Sequence, residues 1–163
     1  MTLSVLANIA DLLAAAGVIG SLVFVAFEIR KSSEQARLSN WTAVLSSLRE
    51  HKRRTDDPYV ADLIVRGRAD FESLSEAEKL SFGYWMEEMV LCFDGMILHQ
   101  NSMAVGPQET RRAAVGAFAM HFAFPGCLAW YRWSGIGDRW PPKLVAAIEE
   151  GIRRAKDNAA AET

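Results

Sequence analysis

No lysine or arginine precedes Arg30, and Asp11 is the sole charged side chain before Glu28. A cleaved secretory leader carries a basic stretch ahead of a short apolar core, so this absence argues against one. There are only two cysteines, Cys92 and Cys127, both in apolar surroundings and without a CxxC pair. They read as free buried thiols in a reducing compartment. No glycine-rich phosphate loop, HExxH pair or GxSxG turn is present, so neither nucleotide binding nor hydrolysis has a local signature. Proline and glycine are missing from Ser21 to Asp57, and nothing there interrupts a helix. No stretch alternates apolar and polar residues with period two, which leaves an all-α chain.

What is present first is a run, LLAAAGVIGSLVFVAF from Leu12 to Phe27, with no charge. A helix rises about 1.5 Å per residue, so about 20 such residues match a hydrocarbon core of about 30 Å. Residues 5 to 28 are therefore predicted as a membrane-spanning helix, residues 1–30 as an anchor and residues 31–163 as a cytoplasmic helical domain. The sharp change at Phe27, followed by Glu28, Arg30 and Lys31, suits a membrane interface. The alternative is the central buried helix of a soluble bundle.

Charge supplies the orientation. Arg30, Lys31, Arg37, Arg49, Lys52, Arg53 and Arg54 face only Glu34 and Glu50. Positive charge thus gathers after the apolar run and is absent before it, which puts the carboxyl side in the cytoplasm and the N-terminus outside. Asp11 falls near the outer interface, where water still solvates it. Ala7, Ala10, Ala14, Gly17 and Ser21 recur at three- and four-residue spacing, a small-residue face of the kind that lets helices approach closely in lipid.

Leu38, Trp41, Leu45 and Leu48 then form an apolar stripe about two heptads long, able to pack on its own chain or on a copy. The basic run His51 to Arg54 suits a solvated face or anionic headgroups. It lacks the net charge and interleaved aromatics that nucleic acid requires, and nucleic acid is not an expected partner. Asp57-Pro58 starts a short helix, Tyr59 to Arg66, ending near Gly67. Ser75 and Glu78 spell a capping box, opening a helix to about His99. Gln108 to Phe122 forms the next helix. Pro125-Gly126 breaks the chain, an aromatic segment follows, 135–142 is loop, and Lys143 to Ala155 is the last helix, with fraying from Asn158. Ala113 to Tyr131 has no charged residue but contains Pro125-Gly126, and reads as a core helix and a break rather than a second span.

One face of the helix from Ser75 carries Phe82, Trp85, Met89, Cys92, Met96 and His99. Cys92 and Met96 are soft ligands that with His99 would suit copper(I), while Met and Cys also fill helical cores. His121 and Cys127 join such a site only if the fold brings them close. Glu87 and Asp94 lie two turns apart, but the Glu-x-x-His repeat of di-metal bundles is absent. Nothing in the sequence calls for a cofactor.

Three features together resemble a large, uncharacterised class of small bacterial proteins with an N-terminal membrane helix and a helical cytoplasmic domain. These are Gly20-Ser21-Leu22-Val23-Phe24-Val25 running into charged residues, Ala61 to Gly67 followed by Leu74 to Glu78, and Pro125-Gly126 with Trp130, Trp133 and a terminal helix. The class more often has adjacent aromatics where this chain has Tyr131-Arg132. The resemblance implies architecture and a bacterial inner-membrane location, and implies no activity, substrate or cofactor.

The residues favour a non-enzymatic, membrane-anchored protein that acts by association. Its partners would be the bilayer, copies of itself or a larger membrane complex. Ala10, Ala14, Gly17, Ser21, Leu38, Trp41, Leu45 and Leu48 are the expected association residues. A small metal- or ligand-binding module or enzyme on residues 75–100, and a soluble helical bundle, are the alternatives.

Overall fold

A computed structural model describes residues 3–161; the side chains at 3, 6 and 7, including Ala7 of the small-residue face, lie outside that description. The helices are α1 (Leu3–Arg53), α2 (Pro58–Ala69), α3 (Glu76–Leu98), α4 (Pro107–Phe122), α5 (Pro125–Ser134), α6 (Ile136–Arg139) and α7 (Pro142–Ala161). Short 3₁₀ turns occupy Arg54–Asp56 and Gln100–Ser102. Among the described residues there is no strand, and the chain is all-α.

Helix starts follow from local chemistry. Pro58, Pro107, Pro125 and Pro142 each open a helix, because proline's missing N–H falls where a helix has no acceptor and its fixed φ suits the first turn. Asp57 Oδ1 accepts from the Tyr59 N–H at 2.8 Å. At α3 the capping box is complete: Ser75 Oγ accepts from the Glu78 N–H, and Glu78 Oε2 accepts from the Ser75 N–H at 2.9 Å. Glu78 also takes a 2.7 Å bond from Arg66 of α2. That cation, with the Ser75 donors, holds its carboxyl down at about 2.

Four boundaries differ from the sequence expectations. The helix after Pro58 runs to Ala69, past Gly67. The break at Pro125-Gly126 is a bend of 104° between α4 and α5, and the aromatic segment after it, to which the sequence assigns no element, is the helix α5. The expected loop at 135–142 contains one helical turn, α6, reached through Gly135 at φ 59° and held by the fully buried Ile136. The last helix begins at Pro142 and continues to Ala161 instead of fraying from Asn158; Glu162 and Thr163 lie outside the described residues.

The chain divides into two compact units, Met1–Ser39 and Asn40–Thr163. The division falls past Arg30, where the chemistry of the chain changes, and marks where tertiary packing begins. In the first unit every described side chain is exposed. Leu12, Leu22, Val23, Phe24 and Phe27 are among them. Ser21 Oγ donates to the Gly17 carbonyl at 2.9 Å, so its hydroxyl is satisfied within the helix. This helix is long and apolar enough to cross a membrane, and none of its apolar window is buried. It is not the buried central helix of a bundle.

The second unit buries one core. Phe71, Phe82, Met86, Phe118, Phe122, Trp130, Leu144 and Ile148 are all enclosed, and Trp41, Val44 and Leu48 from α1 pack against them. Ala114 to Phe122 and Cys127 to Trp130 contribute to this core, as expected of a core helix and a break. Close crossings depend on glycine. A Cβ on Gly126 of α5 would fall inside the Gly67 carbonyl of α2, and one on Gly67 would enter the Phe82 ring. Gly67 lies in the last turn of α2 and Gly126 is the second residue of α5, and glycine within a helix costs up to about 1 kcal/mol against alanine. The approach they allow is the compensation.

Candidate functional site

The soft-ligand face of α3 is mostly core. Met89 and Met96 are buried, Cys92 is half-buried, and His99 is exposed at the helix end. Among the described residues no three His, Cys, Asp or Glu side chains gather as a metal site would require. Burial raises the Cys92 thiol, with the Glu88 charge adding to it. Burial also lifts Cys127 to about 12. Both thiols therefore stay protonated at neutral pH and lack nucleophilic character. Glu87 takes a contact from Arg139 at 3.4 Å, whereas Asp94 has a buried oxygen, Oδ1, without a hydrogen-bond partner. Burial pushes the Asp94 carboxyl up, partly offset by His99. The two carboxylates have separate surroundings.

Of the expected association residues, Ala10, Ala14, Gly17 and Ser21 are exposed, and nothing approaches the open side of Gly17. Leu38 is 60% exposed. Trp41 and Leu48 pack on the core of their own chain, and Leu45 is half-buried. The inward face of α1 is Trp41, Val44, Leu48 and His51, one step round the helix from the predicted stripe.

That shift leads to the most unusual cluster in the protein, built around the Trp85 indole of α3. His51, in the last turn of α1, is 5% exposed and stacks on Trp85, itself 6% exposed, at 5.1 Å and 25°. Its Nδ1 lies 3.3 Å from Glu88 Oε2, and Glu88 Oε1 accepts from Arg54 at 2.8 Å. His121, in the last turn of α4, meets the same indole edge-on at 5.9 Å. Arg68, from the end of α2, places its guanidinium 5.2 Å from the Trp85 ring and 5.0 Å from Phe124. Its Nη2 is 3.4 Å from His121 Nδ1. Two histidines and an arginine thus surround one indole.

Protonation follows from the partners. Arginine only donates, so His121 Nδ1 accepts and its proton is on Nε2. Burial first, and then the Arg68 charge, lower His121 to about 4, leaving it neutral at pH 7. Burial also lowers His51, against the opposing pull of Glu88. Facing a carboxylate, His51 Nδ1 donates and Nε2 is left as an acceptor. Three buried nitrogens here have no partner: His51 Nε2, Arg68 Nε and Trp85 Nε1. Among the described residues Arg68 has no carboxylate partner, unlike Arg54, Arg66, Arg111 and Arg139.

A concavity of about 350 Å³ is lined by Lys79, Tyr84, Glu87, Trp130, Trp133 and Arg139. Its cations are already paired, Lys79 with Glu72 at 3.3 Å and Arg139 with Glu87. It offers aromatic surface without an unmatched charge.

The sequence puts Trp85 on a packing face, His51 in a basic run and His121 beside a metal site only if the fold brings it close, and gives Arg68 no role. The available signal was phase: His51 continues the 3-4-3 spacing of Trp41, Val44 and Leu48 and therefore points inward. No protein-family model, curated protein or solved structure matches the chain. Among the described residues the fold is all-α, with one helix long and apolar enough to cross a membrane, followed in sequence by a helical bundle.

Proposed function

We propose that this is a non-enzymatic, membrane-anchored protein that acts by association, with copies of itself or as an accessory subunit of a larger inner-membrane complex. The observation that carries this reading is an uncharged helical run, Leu12 to Phe27, whose side chains are all exposed. In water so large an apolar surface is a liability; in lipid it is the stable state. Nine of its residues are Leu, Ile, Val or Phe, each slightly favouring insertion. Ser21 adds no unsatisfied hydroxyl.

The basic residues after Phe27 and their absence before it set a single pass with the N-terminus outside and the bundle in the cytoplasm. The exposed face of Ala10, Ala14, Gly17 and Ser21 supports close helix pairing within lipid. Trp41 and Leu48 are engaged by their own bundle, so the pairing surface lies in the anchor. Resemblance to the uncharacterised bacterial class supports the same architecture. Light scattering of the detergent-purified protein tests self-association: a dimer or larger particle that Gly17→Leu dissociates is expected, and a strictly monomeric particle at micromolar concentration rejects it. Co-purification from native membranes tests the accessory-subunit form.

A further inference from the structure

The Trp85 cluster is independent of the membrane reading. Buried polar nitrogens are normally paired, because one left without a partner forfeits the hydrogen bonds it makes in water. Here three occur on side chains in mutual contact. A guanidinium held between two aromatic faces keeps its in-plane N–H groups for a ligand at its edge, and that planar fork matches an oxyanion. Charge points the same way. Arg68 and Arg54 lie beside His51, and Lys52 is close enough to act on His121. Glu88 is the carboxylate that answers them, through Arg54 and His51. With both histidines neutral, the cluster carries two positive charges in excess, the complement of a dianion.

We propose that the cluster formed by His51, Arg68, Trp85 and His121 is a binding site for a phosphate-type oxyanion, held at the carboxylate-free edge of Arg68. The Arg68 and Trp85 N–H groups donate to it. His51 Nε2 accepts from a protonated phosphate oxygen, or donates once a proton is taken up. Glu88 positions His51 from the far side of its ring. Free phosphate and the phosphodiester of a lipid headgroup share the oxyanion edge that the Arg68 and Trp85 N–H groups would meet; the phosphodiester is a monoanion without an O–H, so only a protonated His51 would donate to it.

The test uses the full chain in detergent with inorganic phosphate as the probe, against chloride at matched ionic strength. The Trp85 indole N–H resonance, assigned with Trp85→Phe, is expected to move saturably with phosphate. Arg68→Gln is expected to weaken the apparent affinity about tenfold or more. Arg68→Lys, which keeps the charge and loses the fork, weakens it less and carries the comparison if the glutamine variant unfolds. Arg112→Gln, at an exposed position of α4, leaves the titration unchanged. Nanodiscs of phosphatidylcholine with and without phosphatidylglycerol separate the sources. A resonance already displaced by phosphatidylglycerol identifies a headgroup, and one that answers to phosphate in both identifies a free anion. A resonance indifferent to phosphate and to phosphatidylglycerol, or a shift undiminished in Arg68→Gln and Arg68→Lys alike, means that the nitrogens bind water only and overturns the proposal.

Discussion

α1 is one unbroken helix with two kinds of solvent problem. Up to Ser39 it has no buried side chain among those described; from Asn40 it supplies Trp41, Val44, Leu48 and His51 to a packed core. The backbone is the same in both stretches, so helix formation says nothing about which medium surrounds it. From Leu12 to Phe27 apolar residues go all the way round, whereas from Asn40 they occupy one face. Only the distribution of apolar side chains about the axis separates the two, and that distribution is what a membrane span and a docked helix require of a sequence.

The two regions should therefore break differently. Phe118→Ala, in the centre of the bundle, is expected to cost about 3–5 kcal/mol, read by denaturant unfolding, without releasing the protein from membranes. Leu22→Arg reverses the pattern. It places a cation mid-anchor at a cost of roughly 2.5–3.5 kcal/mol in insertion, so carbonate washing should release much of the protein while bundle stability stays unchanged. Gly126→Ala tests the close crossing of α2 and α5, with an expected loss of about 1–3 kcal/mol; an equal change at Gly17, where nothing approaches, should leave the bundle untouched.

Acid should separate the regions as well. His121 is lowered to about 4 in the folded chain, below its ordinary value near 6.5. The unfolded chain then binds more protons between those values, so stability is complete above about pH 6.5 and falls as pH drops towards 4. His51 and Lys52 of α1, Arg54 after it, Arg68 of α2 and Glu88 of α3 face this site, and the cations among them add to the penalty for protonating His121. Unfolding at pH 7 and pH 5 should show the bundle weakened at the lower pH, with the dependence reduced in His121→Gln. The smallest effect belongs to Ser75→Ala, about 1 kcal/mol for the lost cap.

Local signals carried much of this fold. Ser75 and Glu78 mark a helix start through bonds three residues apart, and the missing prolines and glycines after Ser21 foretell the length of α1. Pro125-Gly126 marks the break but not the helix that follows it, because proline both ends one helix and opens the next, and which of these dominates depends on the residues that follow finding a core. α6 is a single turn whose buried Ile136, rather than its local propensity, holds it. The Trp85 cluster was out of reach for a further reason. Its members come from four helices, and Arg68 stands out by lying over the Trp85 and Phe124 rings without a carboxylate partner, which is a fact of packing.

The contrast between the two halves of α1 is tested most directly by single cysteines at Ser4, Val18 and Asp157, placed one at a time in a Cys92→Ser, Cys127→Ala background. Intact and lysed cells would be treated with a membrane-impermeant maleimide. The account expects Ser4→Cys to label in intact cells, Asp157→Cys only after lysis, and Val18→Cys in neither until detergent is added. Labelling of Val18→Cys without detergent, or of Asp157→Cys in unbroken cells, would contradict it.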